Sequence, residues 1–186
     1  GNKPRWDVTN YRPISITDTI SKFFEKLIFN RLMKIFEEGS LISDYQSGGR
    51  ARNGSIHQLV RVFHELDSLC HATDFADGTG EEIQKYTVIL ALLDCSKAFD
   101  TINRPLLLSK LYTLGVTGKL FDVICGFYCG RSQIVRVGSE ESLKEITERG
   151  GPQGCVLTFF SWLIFIDSIS DCMPIEDNTS GFGLFV

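Results

Sequence analysis

The chain has no apolar run long enough to cross a bilayer, no CxxC pair, no internal repeat and no low-complexity linker. The first absence excludes a membrane-spanning helix, and no signal peptide is read at the start. The second argues against a structural zinc site. Cys70, Cys95, Cys125, Cys129, Cys155 and Cys172 are scattered. Cys125 and Cys129 fall four apart on an expected helix, but no histidine or second pair stands beside them. Buried free thiols in a reducing compartment are the expectation. Histidine is scarce: His57, His64 and His71 fall seven apart, and surface or packing roles are the expectation. A basic excess is also missing. Net charge is −4, which argues against a plain nucleic-acid coat.

What is present is unevenly spread. Residues 1–64 carry ten Lys/Arg and six Asp/Glu, whereas residues 65–100 carry two and eight. A basic front beside an acidic middle suits a protein that holds phosphates and binds divalent metal; the same numbers also suit ordinary solvated surfaces. At 186 residues and 43% apolar, the chain can bury the core of one domain, or of one domain with a small lobe.

Hydrophobic spacing predicts the elements. Asp18 caps a helix to about Glu38, with Ile20, Phe23, Phe24, Leu27, Ile28, Leu32, Ile35 and Phe36 at helical spacing and Gly39 as its stop. Ser55 caps a second helix with Ile56, Leu59, Val60, Phe63, Leu66 and Leu69 on one face. Residues 71–82 read as a polar loop. Residues 86–93 (YTVILALL) read as a central strand buried on both faces, with Asp94 at its carboxyl end. Pro105 opens a short helix that Gly115 stops, and another runs from 118 to 130. Residues 133–137 pair with 143–148 across a turn at 138–140. Residues 155–172 form a buried helix, and 180–186 begin a further strand.

Three segments carry the chemistry. LLDCSKAFD (92–100) resembles the first catalytic motif of reverse transcriptases of non-LTR retrotransposons. NYRPISITDTISKFFEKLIFNRL (10–32) resembles their fingers motif, and GGPQGCVL (150–157) their Pro-Gln-Gly motif. Order and spacing agree, and SIHQLVRVFHEL (55–66) is most similar to jockey-type elements. The resemblance implies an α+β fold: a right-hand polymerase with fingers (about 1–85) and an incomplete palm (about 86–186), the palm a ferredoxin-like sheet with packed helices. It implies an RNA template, a DNA primer, deoxynucleoside triphosphates and two Mg2+ ions, with Mn2+ as a substitute. It also implies no membrane partner, a larger parent polyprotein, and a parent element that works in nucleus and cytoplasm.

Residue by residue, the resemblance makes Asp94 the catalytic metal ligand and gives the metal a second oxygen from the Cys95 carbonyl. Phe99 matches the ring that excludes a 2′-hydroxyl. Arg12 matches the arginine that grips the triphosphate, a task that suits a forked guanidinium. Gln153 and Gly154 match residues beside the nucleotide's sugar and base. Arg50 and Arg52 stand where the family meets template phosphates, and they also read as solvated cations. Lys97 and Asp100 read as a local structural pair.

The family's second catalytic motif pairs two aspartates after an aromatic and a small residue. Phe185 and Val186 match those two positions, and the aspartates would follow. One carboxylate cannot hold two divalent cations, so the expectation is that this chain alone does not polymerise. Further departures are Gly49 for a phenylalanine, Gly151 for a β-branched residue, and Thr158-Phe159 for Ser-Pro. If position 49 is interior, its loss of a ring forfeits about 1.5–3 kcal/mol of burial. A non-catalytic nucleic-acid-binding module and an inert decayed copy are the alternatives to a polymerase fragment.

Overall fold

The computed structural model describes Pro4 and residues 6–50, 53–71 and 89–170. It divides into two compact units, residues 1–41 with 97–165 and residues 42–96 with 166–186. The described residues mix helix with a small amount of sheet: a 3-10 turn at Val8–Asn10, then α1 (Thr19–Glu38), α2 (Ser55–His71), α3 (Ala98–Thr101), α4 (Arg104–Thr113), α5 (Gly118–Tyr128), strands β1 (Ser132–Gln133), β2 (Arg136–Val137), β3 (Glu140–Glu141) and β4 (Glu145–Ile146), and α6 (Val156–Asp167). No described helix is long and apolar enough to cross a membrane.

In the first unit α1 starts where the sequence says it should. The Asp18 carboxylate accepts from the Ser21 backbone N–H at 2.8 Å and from its hydroxyl at 2.7 Å. This meets one of the donors that a helix start leaves without a partner. At the other end Gly39 is the C-cap but keeps a right-handed φ, and Ser40 takes the left-handed turn at φ 50°. Ser40 and Leu41 return their N–H groups to the carbonyls of Glu37 and Phe36, which closes the helix with a non-glycine residue in the strained position. Leu32 and Phe36 are fully buried, the Phe36 ring edge-on to Phe160 with centroids 5.2 Å apart. Ile20, Phe23 and Phe24, on the first turns, stay exposed.

Helix α4 is capped by the Asn103 side chain, which accepts from Leu106 N–H at 3.1 Å. It ends at Gly115, whose φ of 89° is open to glycine at no steric cost. Leu107 and Leu111 of α4, Ile124 and Tyr128 of α5, and Leu157, Phe160, Leu163 and Ile164 of α6 build the core of this unit. Fully burying one such side chain contributes about 1.5–3 kcal/mol. Lys110 donates to the carbonyls of Ile164 and Phe165 at 3.3 and 2.8 Å, meeting acceptors in the last turn of α6.

The expected hairpin forms, but in two pieces. Ser132 pairs with Ile146 and Gln133 with Glu145; beyond them Arg136 pairs with Glu141 and Val137 with Glu140. Two residues, Ile134 and Val135, therefore face three, Ser142 to Lys144, which is a β-bulge. Ser142 bridges the break: its N–H donates to Val135 O at 2.9 Å, and its hydroxyl accepts from Val135 N–H at 3.0 Å. Gly138 makes the tight turn at φ 63°.

In the second unit Gly54, not Ser55, caps α2. Its carbonyl accepts from Gln58 N–H at 3.1 Å, and its own N–H donates to His57 Nδ1 at 3.3 Å. The expected apolar face of α2 is not the covered one: Ile56, Leu59, Val60 and Phe63 are exposed. Gln58 is buried instead, its side-chain oxygen accepting from the Ser47 hydroxyl at 2.6 Å. Ser43 N–H donates to both carboxylate oxygens of Asp167, at 3.2 and 3.1 Å.

Two expectations are corrected here. Residues 89–93 form no strand; Ile89, Leu92 and Leu93 are 83–85% exposed. Composition sets what a segment prefers, but only a neighbour's ladder of N–H and C=O groups makes it a strand. No described strand pairs with these residues, and the further strand expected at 180–186 lies outside the described residues. Gly49 is exposed with φ 72°, so no interior ring is missing there; the turn is one that a bulky side chain would strain. Residues 72–88, which held the expected loop and the first part of the strand, also lie outside the described residues.

Candidate functional site

The first unit brings together three segments that are far apart in sequence. The Ser15 N–H donates to the Gln153 carbonyl at 2.9 Å. Gly150 N–H donates to Ile102 O and Gly151 N–H to Phe99 O, both at 2.9 Å. The Gln153 side-chain nitrogen lies 3.0 Å from each carboxylate oxygen of Asp100. The extended run after Arg12, the start of α3, and the Pro-Gln-Gly turn thus meet through backbone and side-chain bonds. Phe99 packs edge-on against Trp162 with centroids 6.3 Å apart, so its ring is held from the α6 side.

Glycine is required at the heart of this junction. Gly150 has φ 71°, and a Cβ there would stand 2.7 Å from Asp100 O. A Cβ on Gly151 would stand 2.5 Å from the Thr158 methyl. Gly154, at φ 100°, lies against Ser15, with the position of a Cβ 3.7 Å from Ser15 O. Backbone replaces side chain at each point, which lets the turn approach its neighbours closely. The expected partner of Asp100 was Lys97; Gln153 is its partner instead, and Lys97 takes a left-handed φ of 54° before α3.

The other motif residues fall as follows. Arg12 is exposed, three residues before Ser15. Asp94 and Cys95 are exposed and belong to the second unit, in a segment without regular structure. Arg50 is half-buried and donates to the carbonyls of Ser43 and Gln46 at 3.0 and 3.4 Å, so its guanidinium supports its own turn. Arg52 lies outside the described residues. Of the cysteines, Cys95 and Cys129 are exposed and only Cys155 is buried among those described, so burial holds for one thiol and not for the set. Burial, together with the nearby Glu25 carboxylate, pushes the Cys155 thiol up to about 11. Glu25 itself is buried and accepts from Val156 N–H at 3.1 Å, capping α6 just after the Pro-Gln-Gly turn.

The sequence reading missed Arg104. Its guanidinium is buried and donates to Gly150 O at 2.8 Å, Tyr128 O at 3.0 Å, Arg149 O at 3.0 Å and Thr147 Oγ1 at 2.9 Å, and also to the Thr147 carbonyl. Loss of solvation and the nearby Arg131 lower its pKa. Arg104 pins the Pro-Gln-Gly turn to the end of α5 and to the hairpin. One sequence signal was available: a cation in the first turn of a helix opposes the helix dipole, so it needs another reason to be there.

A groove lined by Leu27, Ile28 and Ile35 of α1 with Val116, Leu120 and Val123 includes none of the candidate site residues. Residues 2–176 match the family described as reverse transcriptase (RNA-dependent DNA polymerase). The chain is 32% identical over 175 residues to the RNA-directed DNA polymerase from mobile element jockey of Drosophila funebris, covering 94% of this chain and 17% of that protein. It is 31% identical over 172 residues to the jockey protein of Drosophila melanogaster, covering 92% and 17%. To the probable RNA-directed DNA polymerase from transposon BS of Drosophila melanogaster it is 27% identical over 163 residues, covering 88% and 17%. It thus spans about a sixth of the length of the curated relatives it matches. With its motifs joined at one junction and the family match running through most of its length, the chain belongs to the reverse transcriptase family.

Proposed function

We propose that the chain is part of an RNA-directed DNA polymerase of a non-LTR retroelement and that the junction of Ser15, Phe99, Asp100 and Gln153 is its nucleotide pocket. The observation that supports this most is the meeting of the three motifs through the Ser15–Gln153 and Gly151–Phe99 backbone bonds. In this reading residues up to about 85 are mainly fingers and the rest mainly palm. Phe99, held against Trp162, is the sugar gate. Arg12, on the exposed run beside the junction, grips the triphosphate. Gln153 and Gly154 lie beside sugar and base. Template and primer pass near Arg50 and Arg52, and the remainder of the parent polyprotein supplies the other lobes.

Members of this family use divalent metal ions. Asp94 with the Cys95 carbonyl would give one ion a carboxylate and a carbonyl oxygen, ligands that suit Mg2+. That donor set does not fit two ions: among the described residues no three metal-ligating side chains gather. The same observation favours a second reading for this polypeptide by itself, namely that it binds nucleotide or nucleic acid without polymerising.

Photolabelling tests the pocket. The chain, irradiated with 8-azido-dATP, is expected to carry the label on peptides that contain Phe99 or Gln153. An excess of dATP should suppress it, and Arg12→Ala should weaken it about tenfold or more, the usual cost of losing a charge-assisted phosphate contact. Label confined to other peptides, or insensitive to competing dATP, would remove the nucleotide-pocket reading. Primer extension on an RNA template separates the two readings: none is expected from the chain alone, and extension abolished by Asp94→Asn would show that it polymerises unaided.

A further inference from the structure

We infer that the groove between α1 and the start of α5 is a docking site for an acidic amphipathic helix of a partner protein. Helix α1 is apolar on two sides. Leu32 and Phe36 are fully buried and serve the core of the first unit. Ile20, Phe24, Leu27, Arg31 and Ile35 follow one another at intervals of four, three, four and four residues, which aligns them in a second row along the same helix. The apolar members of that row are 41–69% exposed. A helix that is apolar on more than one side is ordinarily covered on each of them. Leu27, Arg31 and Ile35 form one wall of the groove, and Lys119 and Val123 stand on the other. Val116, at 3% exposure, is the most buried of its lining residues. Its volume of about 590 Å3 lies within the span of ordinary binding clefts.

Charge and shape choose the occupant. Only two of the lining residues are charged, Arg31 and Lys119, one on each wall, and both are cations. Both are exposed, and neither makes an ion pair or hydrogen bond among the described residues. Lys34, on the same helix, is by contrast paired with Glu38 at 3.7 Å. Two unpaired cations beside an apolar cleft complement an apolar occupant that carries carboxylates. The row also runs on past the groove to Ile20, about 22 Å along the helix axis from Ile35. A small organic anion would fill the groove and leave Ile20 and Phe24 in water. A helix of about four turns covers the row from end to end. The groove is concave, which suits the apolar ridge of a helix and not the plane of a bilayer. None of the candidate nucleotide-site residues lines it, so the inference is independent of the pocket at the Pro-Gln-Gly turn.

The test lets the groove select its own probe. A phage library of random peptides of about sixteen residues, long enough for four helical turns, is panned on the full chain. Enriched peptides are resynthesised with a fluorescein label, and anisotropy reads their affinity. They should carry apolar residues at helical spacing and an excess of Asp and Glu, and they should gain helical circular dichroism on binding. Methyl NMR of the wild-type chain should place the shifts at Leu27, Ile35 and Val123, a readout that needs no variant. Leu27 and Val123 are half exposed, so Leu27→Asp with Val123→Asp should keep the far-ultraviolet spectrum and weaken binding at least tenfold. Arg31→Gln with Lys119→Gln should weaken it about fivefold and flatten its salt dependence. Enrichment of basic or unpatterned peptides, methyl shifts elsewhere, or binding that survives the aspartate pair would overturn the inference. So would phosphatidylserine vesicles, or a second copy of the chain, bound through Leu27 and Val123 while the selected peptides bind no better than their lysine-for-glutamate counterparts.

Discussion

Arg104→Ala should be among the most damaging single substitutions in the first unit. The side chain is buried and donates to four carbonyls and one hydroxyl oxygen, drawn from Tyr128, Thr147, Arg149 and Gly150. Removing it leaves these acceptors facing a void. Each carbonyl left unmet costs about 1–3 kcal/mol, and relaxation with water entry recovers part of that. The expected net loss is about 3–5 kcal/mol, a large share of the roughly 5–15 kcal/mol that holds an ordinary domain together. Arg104→Lys should recover less than half, because one compact ammonium cannot reach acceptors spread along a fork. Urea unfolding followed by far-ultraviolet circular dichroism measures the loss, and hydrogen exchange locates it: amides of residues 147–153 should lose protection first. A loss below about 1 kcal/mol in Arg104→Ala would show that these carbonyls are met without the guanidinium and would refute its role as the clamp of the turn.

The Gly151 and Thr158 departures from the family pattern should behave as one change. Gly151→Val alone drives a Cβ into the Thr158 side chain and should lower stability by about 1–3 kcal/mol, with part recovered in the double variant carrying Thr158→Ser; additive urea midpoints would show the two are independent. The Asp18 carboxylate is held below its ordinary pKa by hydrogen bonds from the Ser21 backbone and hydroxyl. Its contribution is therefore full above the unfolded-state value and is lost as pH falls through the lower folded value. The urea midpoint of the wild type should drop over that acidic range by more than that of Asp18→Ala; parallel profiles would refute it. Cys155, pushed up to about 11, should resist iodoacetamide at neutral pH until the protein unfolds, while exposed Cys95 and Cys129 react in the native state; mass spectrometry of alkylated peptides reads the order.

Legibility followed the range of the interactions. Helices α1, α4, α5 and α6 were readable because periodicity, caps and stops are local: Asp18, Pro105 and Gly115 act within a few residues of where they stand. The hairpin was readable as a pair, but its bulge was not, since residues 133–148 alternate without marking where one extra residue enters. Residues 89–93 and the apolar stripe of α2 show the converse. Their composition says what they would cover if something met them, and nothing in the segment itself says whether it is met. The junction was legible only as a set of motifs. That Gln153 would turn to Asp100, and that Arg104 would serve four carbonyls, depends on residues 24 to 53 positions apart arriving together.

The Arg104 clamp also sets an order of events during synthesis. Its acceptors lie 24 to 46 residues downstream, so α4 can form and the guanidinium still has only water to meet. Closing loops of that length comes before any reward from the contact. The Pro-Gln-Gly turn is therefore among the last parts of the first unit to settle, and a ribosome paused before residue 150 would hold a nascent chain whose helices up to Tyr128 can form but whose junction is still open.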